Sequence, residues 1–324
     1  MTAKEYIENS LSELKAGISS PARFESKDNL ADFIFKAIMS KKFRKLSVSP
    51  EYQSYVREVI EKSIVNDEPI KFVFPFGAYK LWRLEETPEA DWAELFTLMY
   101  YAKWLKPIVE AYKPGVWFDF SSDAVIVERM DNIPKSQTEA YEKSFNTIID
   151  FLKKYLPENL KFTLTPVASR YTPEEFEEDL KEKVVLMQEK LGGLPVLDEK
   201  HKRMVELNVK LKPGQDKDPL WREKVELIHQ SYYTVSKRRS YNKADDKIVA
   251  FTLKTADGRC VPIGTTKTSV AKFWCGVGVL KKIKDGFIEY ILSPSQLKSS
   301  VFNKENILID GLGLKNFKTI RIID

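Results

Sequence analysis

Four short segments of the sequence gather side chains that can bind or transfer charge. In the first, the apolar run 70–76 passes through Gly77 to Lys80 and Arg83. Ligands of α/β sheets sit beyond the carboxyl ends of strands, and there an ammonium and a guanidinium would hold a phosphate or a carboxylate. As a plain exit loop, the two cations would simply be solvated. The segment is not a Walker loop, because the G-x-x-x-x-G-K-[ST] spacing is absent. The second segment is Trp117-Phe-Asp-Phe-Ser-Ser-Asp123. Asp119 interrupts an apolar strand, and Ser122 and Asp123 close it. A carboxylate in such a strand must be paired, hydrogen-bonded or protonated. Near a substrate it could bind an amine or act as a base. A β-turn with backbone-bonded Ser122 and Asp123 is an equally weighted reading.

The third segment, Ser236-Lys-Arg-Arg-Ser240, places Arg238 and Arg239 after a helix that carries His229 and among Tyr232, Tyr233 and Tyr241. It suits an anion clamp or a basic helix C-terminus matched to the macrodipole. A structural, hydrogen-bonded role outweighs catalysis for His229 taken alone. The fourth, Val261-Pro-Ile-Gly-Thr-Thr-Lys-Thr-Ser269, concentrates hydroxyls around Lys267, ends on Ser269, and suits an anionic or polyhydroxyl ligand. The Gly276-x-Gly278 that follows lies in an apolar strand. It predicts close backbone packing or a bulge, with no third glycine to make a dinucleotide fingerprint.

Composition narrows the partners. The 324 residues carry 52 Lys and Arg against 47 Asp and Glu, a net charge of +5. That excess argues against a nucleic-acid polymer. With 43% hydrophobic residues the chain can build a core and is not disordered. Two histidines, His201 on a charged face and His229, argue against a multi-histidine metal site. Cys260 and Cys275 form no zinc pattern and are expected as reduced thiols. The N-terminus has no apolar signal segment, and no run is long enough to span a bilayer. A cytoplasmic protein acting on small molecules, away from membranes, with no metal and no bound cofactor, is the expectation.

The elements that must position these groups follow from periodicity. Helical spacing marks Tyr6–Leu14, Leu30–Ile38 and Tyr52–Val65. Apolar runs at Ile70–Phe76, Val116–Phe120 and Leu160–Val167 predict strands, with Ala124–Val127 continuing or pairing with the second. Thr87-Pro88 predicts a helix start, and Thr172-Pro-Glu-Glu175 a capping box. Helices are expected over about 135–155, 172–192, 198–211 and 219–236. Runs at Ile248–Leu253, Cys260–Ile263, Phe273–Leu280, Phe287–Leu292 and Thr319–Ile323 read as strands joined by tight turns. The fold expected is α/β: a Rossmann-like three-layer core, with N-terminal helices and a β-rich C-terminal portion. It forms a single composite domain over 1–324, made of a helical part at 1–66, an α/β core at 67–240 and a β-rich part at 241–324.

The stretch from about Ile70 to Leu152 resembles the pyoverdine/dityrosine biosynthesis family, the isocyanide synthases. Family members show a strand into a Pro-Phe turn, a lysine a few residues on, and a Pro-Asp-x-x-Glu-like helix start. Then come a Tyr-x-Pro-Gly element and a strand ending in Ser-Asp-Gly. Here these are Pro75-Phe76, Lys80, Pro88 with Asp91 and Glu94, Tyr112-Lys113-Pro114-Gly115, and Ser122-Asp123-Ala124. The resemblance implies a Rossmann-like fold and conversion of the α-amine of an aromatic amino acid to an isonitrile. It also implies that the added carbon comes from a pentulose phosphate, without metal or nicotinamide. On that reading Asp119 or Asp123 would meet the amine. Lys80, Arg83, Arg238, Arg239 and Lys267 would meet the phosphate, with Ser122 and Ser269 beside them. Proton transfer would fall to Lys80, Asp123 or His229. Two other readings fit the same segments: another transferase for a nucleotide or sugar phosphate, and a non-catalytic RNA-binding protein.

Overall fold

The computed structural model describes residues 1–15, 24–43, 47–76, 88–232, 234–235, 248–252, 260–263, 270 and 276–324. Three helices come first: α1 (Ala3–Ser12), α2 (Lys27–Ile38) and α3 (Pro50–Asn66). Each is capped by a hydroxyl, from Thr2, Ser26 and Ser49, which accepts a backbone N–H of the first turn.

The core then alternates strand and helix: β1 (Ile70–Phe76), α4 (Trp92–Ala111), β2 (Val116–Ser122), α5 (Ala124–Met130), α6 (Lys135–Leu152) and β3 (Leu160–Pro166). Three helices lead on: α7 (Pro173–Leu191), α8 (Glu199–Asn208) and α9 (Trp221–Tyr232). After them come β4 (Ile248–Thr252) and β5 (Val261–Pro262). The five strands are all parallel, in the order β3-β2-β1-β4-β5. The order reverses between β1 and β4, which is the topological switch point of a Rossmann-like sheet.

Aromatic rings glue one face of this sheet to its helices. Tyr101 of α4 packs on Phe74, Phe118, Phe120 and Phe251, and Phe145 of α6 packs on Phe76 and Phe120. α4 and α6 therefore share that face, as right-handed crossovers between neighbouring parallel strands require.

The C-terminal portion is a second sheet, in the order β7-β6-β9-β8, formed by β6 (Val277–Ile283), β7 (Gly286–Leu292), β8 (Asn303–Asn306) and β9 (Thr319–Ile323). A short helix, α10 (Pro294–Ser299), follows β7. The sheet clamps the start of α4. The Trp92 indole donates to the Thr319 carbonyl at 2.8 Å, and the Gly278 N–H donates to the Asp91 carboxylate at 3.3 Å. A Cβ on Gly278 would stand 2.3 Å from the Ala93 nitrogen, and one on Gly276 would stand 2.2 Å from the Leu292 carbonyl oxygen. The close packing expected of these glycines is therefore present.

Three expectations are corrected. Ala124–Val127 is neither strand nor strand partner but the first turn of α5. β2 ends at Ser122, and its apolar continuation is helical, with Val127 facing the core, Glu128 bonded to Thr138 of α6 and Arg129 turned outward. The helix after β1 is capped by Asp91, not by Thr87-Pro88. The Asp91 carboxylate accepts the Ala93 N–H, and Glu94 reaches back to the Asp91 N–H at 2.6 Å, a complete capping box. β4 and β5 pair in parallel, with β4 beside β1. They belong to the central sheet, and no two-residue hairpin can join parallel strands.

Candidate functional site

Asp123 marks the centre of the site. It follows β2, and its N–H donates to the Phe76 carbonyl at 2.8 Å, so the carboxyl ends of β1 and β2 meet at this residue. The side chain is buried, and its carboxylate accepts the Tyr232 hydroxyl at 2.6 Å. Tyr232 ends α9, one turn after His229. Burial pushes the His229 imidazole below its ordinary pKa, while the negative charges of Glu226 and Asp123 oppose that shift. A neutral imidazole beside a buried carboxylate and a phenol can accept or relay a proton.

On the other side of Asp123, the Ser122 hydroxyl donates to Glu142 of α6 at 2.6 Å. Burial raises the Glu142 carboxyl above its usual range. The Ser122 bond counters this, and the neighbouring charges of Glu128 and Glu139 add to it. Glu142 opens onto a cavity of about 410 Å³ between α5, α6 and the start of α7. Glu128, Glu139 and Glu142 line it together with Lys135, which pairs with Glu139 at 3.7 Å; Tyr171 and Phe176 line it from the start of α7, and Pro166 marks the end of β3. Phe176 also packs against Tyr232, with ring centroids 6.1 Å apart. Phe176 therefore touches both the cavity and the tyrosine that bonds Asp123. Carboxylates opposite aromatic rings suit a protonated amine carried on a flat or apolar group.

The structure joins Ser122, Asp123 and His229 of the sequence candidates. Asp119 lies apart from them. It points to the opposite face of β2 from Phe118 and Phe120, where the hydroxyls of Thr163 and Thr165 donate to it at 2.6 and 2.8 Å. Lys80, Arg83, Arg238, Arg239, Lys267 and Ser269 fall outside the described residues, as does Cys275. Cys260 is buried beside β5. His201 is exposed, and its ring bonds to Asp198 at 2.7 Å. Sequence reasoning missed Glu142, Glu128 and Tyr232. Glu142 and Glu128 sit on amphipathic helices where an acid looks like any solvated face residue. Tyr232 was visible only as one aromatic among several. Among the described residues, no three His, Cys, Asp or Glu side chains gather to hold a metal ion, and no helix is long and apolar enough to cross a membrane.

No family model matches the sequence, and no curated protein matches it. Among solved structures, the crystal structure of the PvcA protein from Pseudomonas aeruginosa matches with a TM-score of 0.62 at 15% identity, covering 91% of this chain and 100% of that one. At that identity the likeness is one of fold.

Proposed function

We propose that the protein is an isocyanide-synthase-like enzyme that converts the α-amine of an aromatic amino acid to an isonitrile, taking the carbon from a pentulose phosphate. The observation that carries this reading is the meeting of the motif pieces. Phe76, which ends the Pro-Phe turn, and Asp123, from the Ser-Asp-Ala element, touch through a backbone hydrogen bond at the carboxyl edge of the sheet. A carboxylate- and aromatic-lined cavity stands beside them. The fold likeness to PvcA, a pyoverdine- and isocyanide-synthase-related protein, supports the same reading.

On this reading the amine enters the cavity toward Glu142. The ring stacks near Tyr171 and Phe176, and proton transfer runs through Asp123, Tyr232 and His229. The phosphate would be met by cations from the segments that hold Lys80, Arg83, Arg238, Arg239 and Lys267. The test is incubation of the protein with tyrosine or tryptophan and ribulose 5-phosphate. The expected product shows the isonitrile stretch in the infrared. Absence of turnover across a panel of aromatic amino acids overturns the assignment.

A further inference from the structure

The cavity beside α5 and α6 has acids at its floor, and Lys135 is the one cation among the residues that line it. α6 supplies Lys135, Thr138, Glu139 and Glu142 to the cavity from a single helix face, at i, i+3, i+4 and i+7. Thr138 is 1% exposed, and its hydroxyl donates to Glu128 of α5. Helical side chains lean toward the N-terminus of their helix, so Glu142 reaches back toward the level of Thr138. There the charge of Glu128 adds to the burial that raises the Glu142 carboxyl. Glu128 and Glu142 thus form one acidic floor. Lys135 stands three residues ahead of Thr138, roughly 4.5 Å nearer the mouth along the helix axis. Its ammonium lies 3.7 Å from Glu139, and the two side chains are 75% and 63% exposed.

The helix itself gains little from this lysine. It occupies the first position of α6, where the macrodipole favours an acid. A lysine four residues ahead of a glutamate is also the weaker order of an i, i+4 pair, and exposed pairs contribute little to stability. Toward a ligand the placement has a use. The amine and the carboxylate of an amino acid hang from one carbon. An amine held by Glu128 and Glu142 therefore sets the carboxylate one step closer to the mouth, within the sweep of the Lys135 side chain, while the ring lies against Tyr171 and Phe176.

We infer that Lys135 is the specificity residue that reads the substrate carboxylate, and that Glu139 is its competitor within the chain, displaced from the ammonium when the ligand carboxylate arrives. This rests on the reading of the cavity as the amino-acid site and adds to it a means of selection. An aromatic amine that lacks the carboxylate still meets the acidic floor and the rings, but it leaves Lys135 paired with Glu139. The carboxylate is then read by exchange of one ion pair for another. Its contribution is the difference between the two pairs, so Glu139 sets the strength of the selection.

The test uses two pairs of probes that differ only in the carboxylate, tryptophan with tryptamine and tyrosine with tyramine. Affinity for the full chain is read from the ligand-dependent rise in melting temperature, with no sugar phosphate present. Lys135→Gln is expected to weaken binding of the amino acid about tenfold and of the amine less than about twofold. Lys135→Arg should keep the parent's preference. Glu139→Gln should act in the opposite sense and tighten the amino acid by about threefold, because the ammonium is released to the ligand. Both side chains are mostly exposed, so the melting temperature without ligand should match the parent in each variant. A parent that binds neither pair, a Lys135→Gln variant that loses amine and amino acid alike or loses neither, or a Glu139→Gln variant that fails to tighten the amino acid each overturns the inference. Isonitrile formation is assayed alongside. Turnover without this discrimination overturns the inference and spares the proposed reaction, whereas discrimination without isonitrile overturns the reaction and supports the role of Lys135.

Discussion

Buried carboxylates occur in two regions of this molecule and are held differently in each. At the start of α4, Asp91 and Glu94 are almost fully buried, and backbone N–H groups fix them: those of Ala93 and Gly278 on Asp91, and that of Asp91 itself on Glu94. Tyr141 adds a hydroxyl to Glu94 at 2.8 Å. At the carboxyl edge of the central sheet, Glu142 is half-buried and Asp123 buried, and hydroxyls meet both. Backbone donors cannot turn away, so the first region is rigid architecture that locks the second sheet to α4. Hydroxyls are among the donors at the carboxyl edge, and a hydroxyl can rotate, as that of Tyr141 on Glu94 also can.

The comparison can be broken most sharply at Gly278. Gly278→Ala forces a Cβ to within 2.3 Å of the α4 backbone, so the sheet must shift. The expected loss is roughly 3 kcal/mol or more, read as a lowered urea midpoint. An unchanged midpoint would remove the clamp from the rigid region.

At the carboxyl edge, Asp123→Asn keeps the shape and an acceptor for Tyr232 but removes the charge. On the proposed function, isonitrile formation should fall by about 100-fold or more, with a melting temperature close to that of the parent. A large stability loss with retained turnover would move Asp123 into the architectural class.

A more gradual effect is the pH dependence of Asp131, which follows α5. Burial raises its carboxyl to about 8, well above the ordinary value. The folded pKa exceeds the unfolded one. Its stabilising contribution is therefore complete below the unfolded pKa near 4 and is lost as pH rises through about 8. Melts between pH 5 and pH 8 should show stability declining as pH rises, and Asp131→Asn should flatten the decline. An equal slope in the variant would assign the pH dependence elsewhere, Glu142 being the next group whose pKa burial raises.

Local patterns made the fold legible. The Thr172 capping box, the strands at 70–76 and 160–166, and the tight packing at Gly276 and Gly278 all follow from short-range rules. The errors arose where tertiary context chose between near-equal local options. Thr87-Pro88 and Asp91-x-x-Glu94 are both helix starts, and the second prevails because the Gly278 N–H also docks on Asp91. Residues 124–127 suit strand or helix, and the close of β2 at Ser122 decides for helix. The site was half legible. Ser122 and Asp123 stand in one short segment, whereas Glu142 reaches Ser122 across 20 residues and Tyr232 reaches Asp123 across 109. No spacing in the sequence announces such meetings, because the β2–α6 crossover and the long β3–β4 connection create them.

The central position of β1 has a consequence for synthesis. Its two neighbours in the sheet come from very different points in the chain: β2 begins at Val116 and β4 at Ile248. As the chain emerges from the ribosome, β1, β2 and β3 can assemble with α4 and α6. One edge of β1 then stays open until about 80 further residues, from Pro166 at the end of β3 to Ile248, have been made. Until then a row of unpaired amides, flanked by Phe72 and Phe74, is available to any passing strand. The nascent protein is therefore most exposed to misassembly midway through translation, and a chaperone that shields this edge would raise its yield more than one acting on the finished chain.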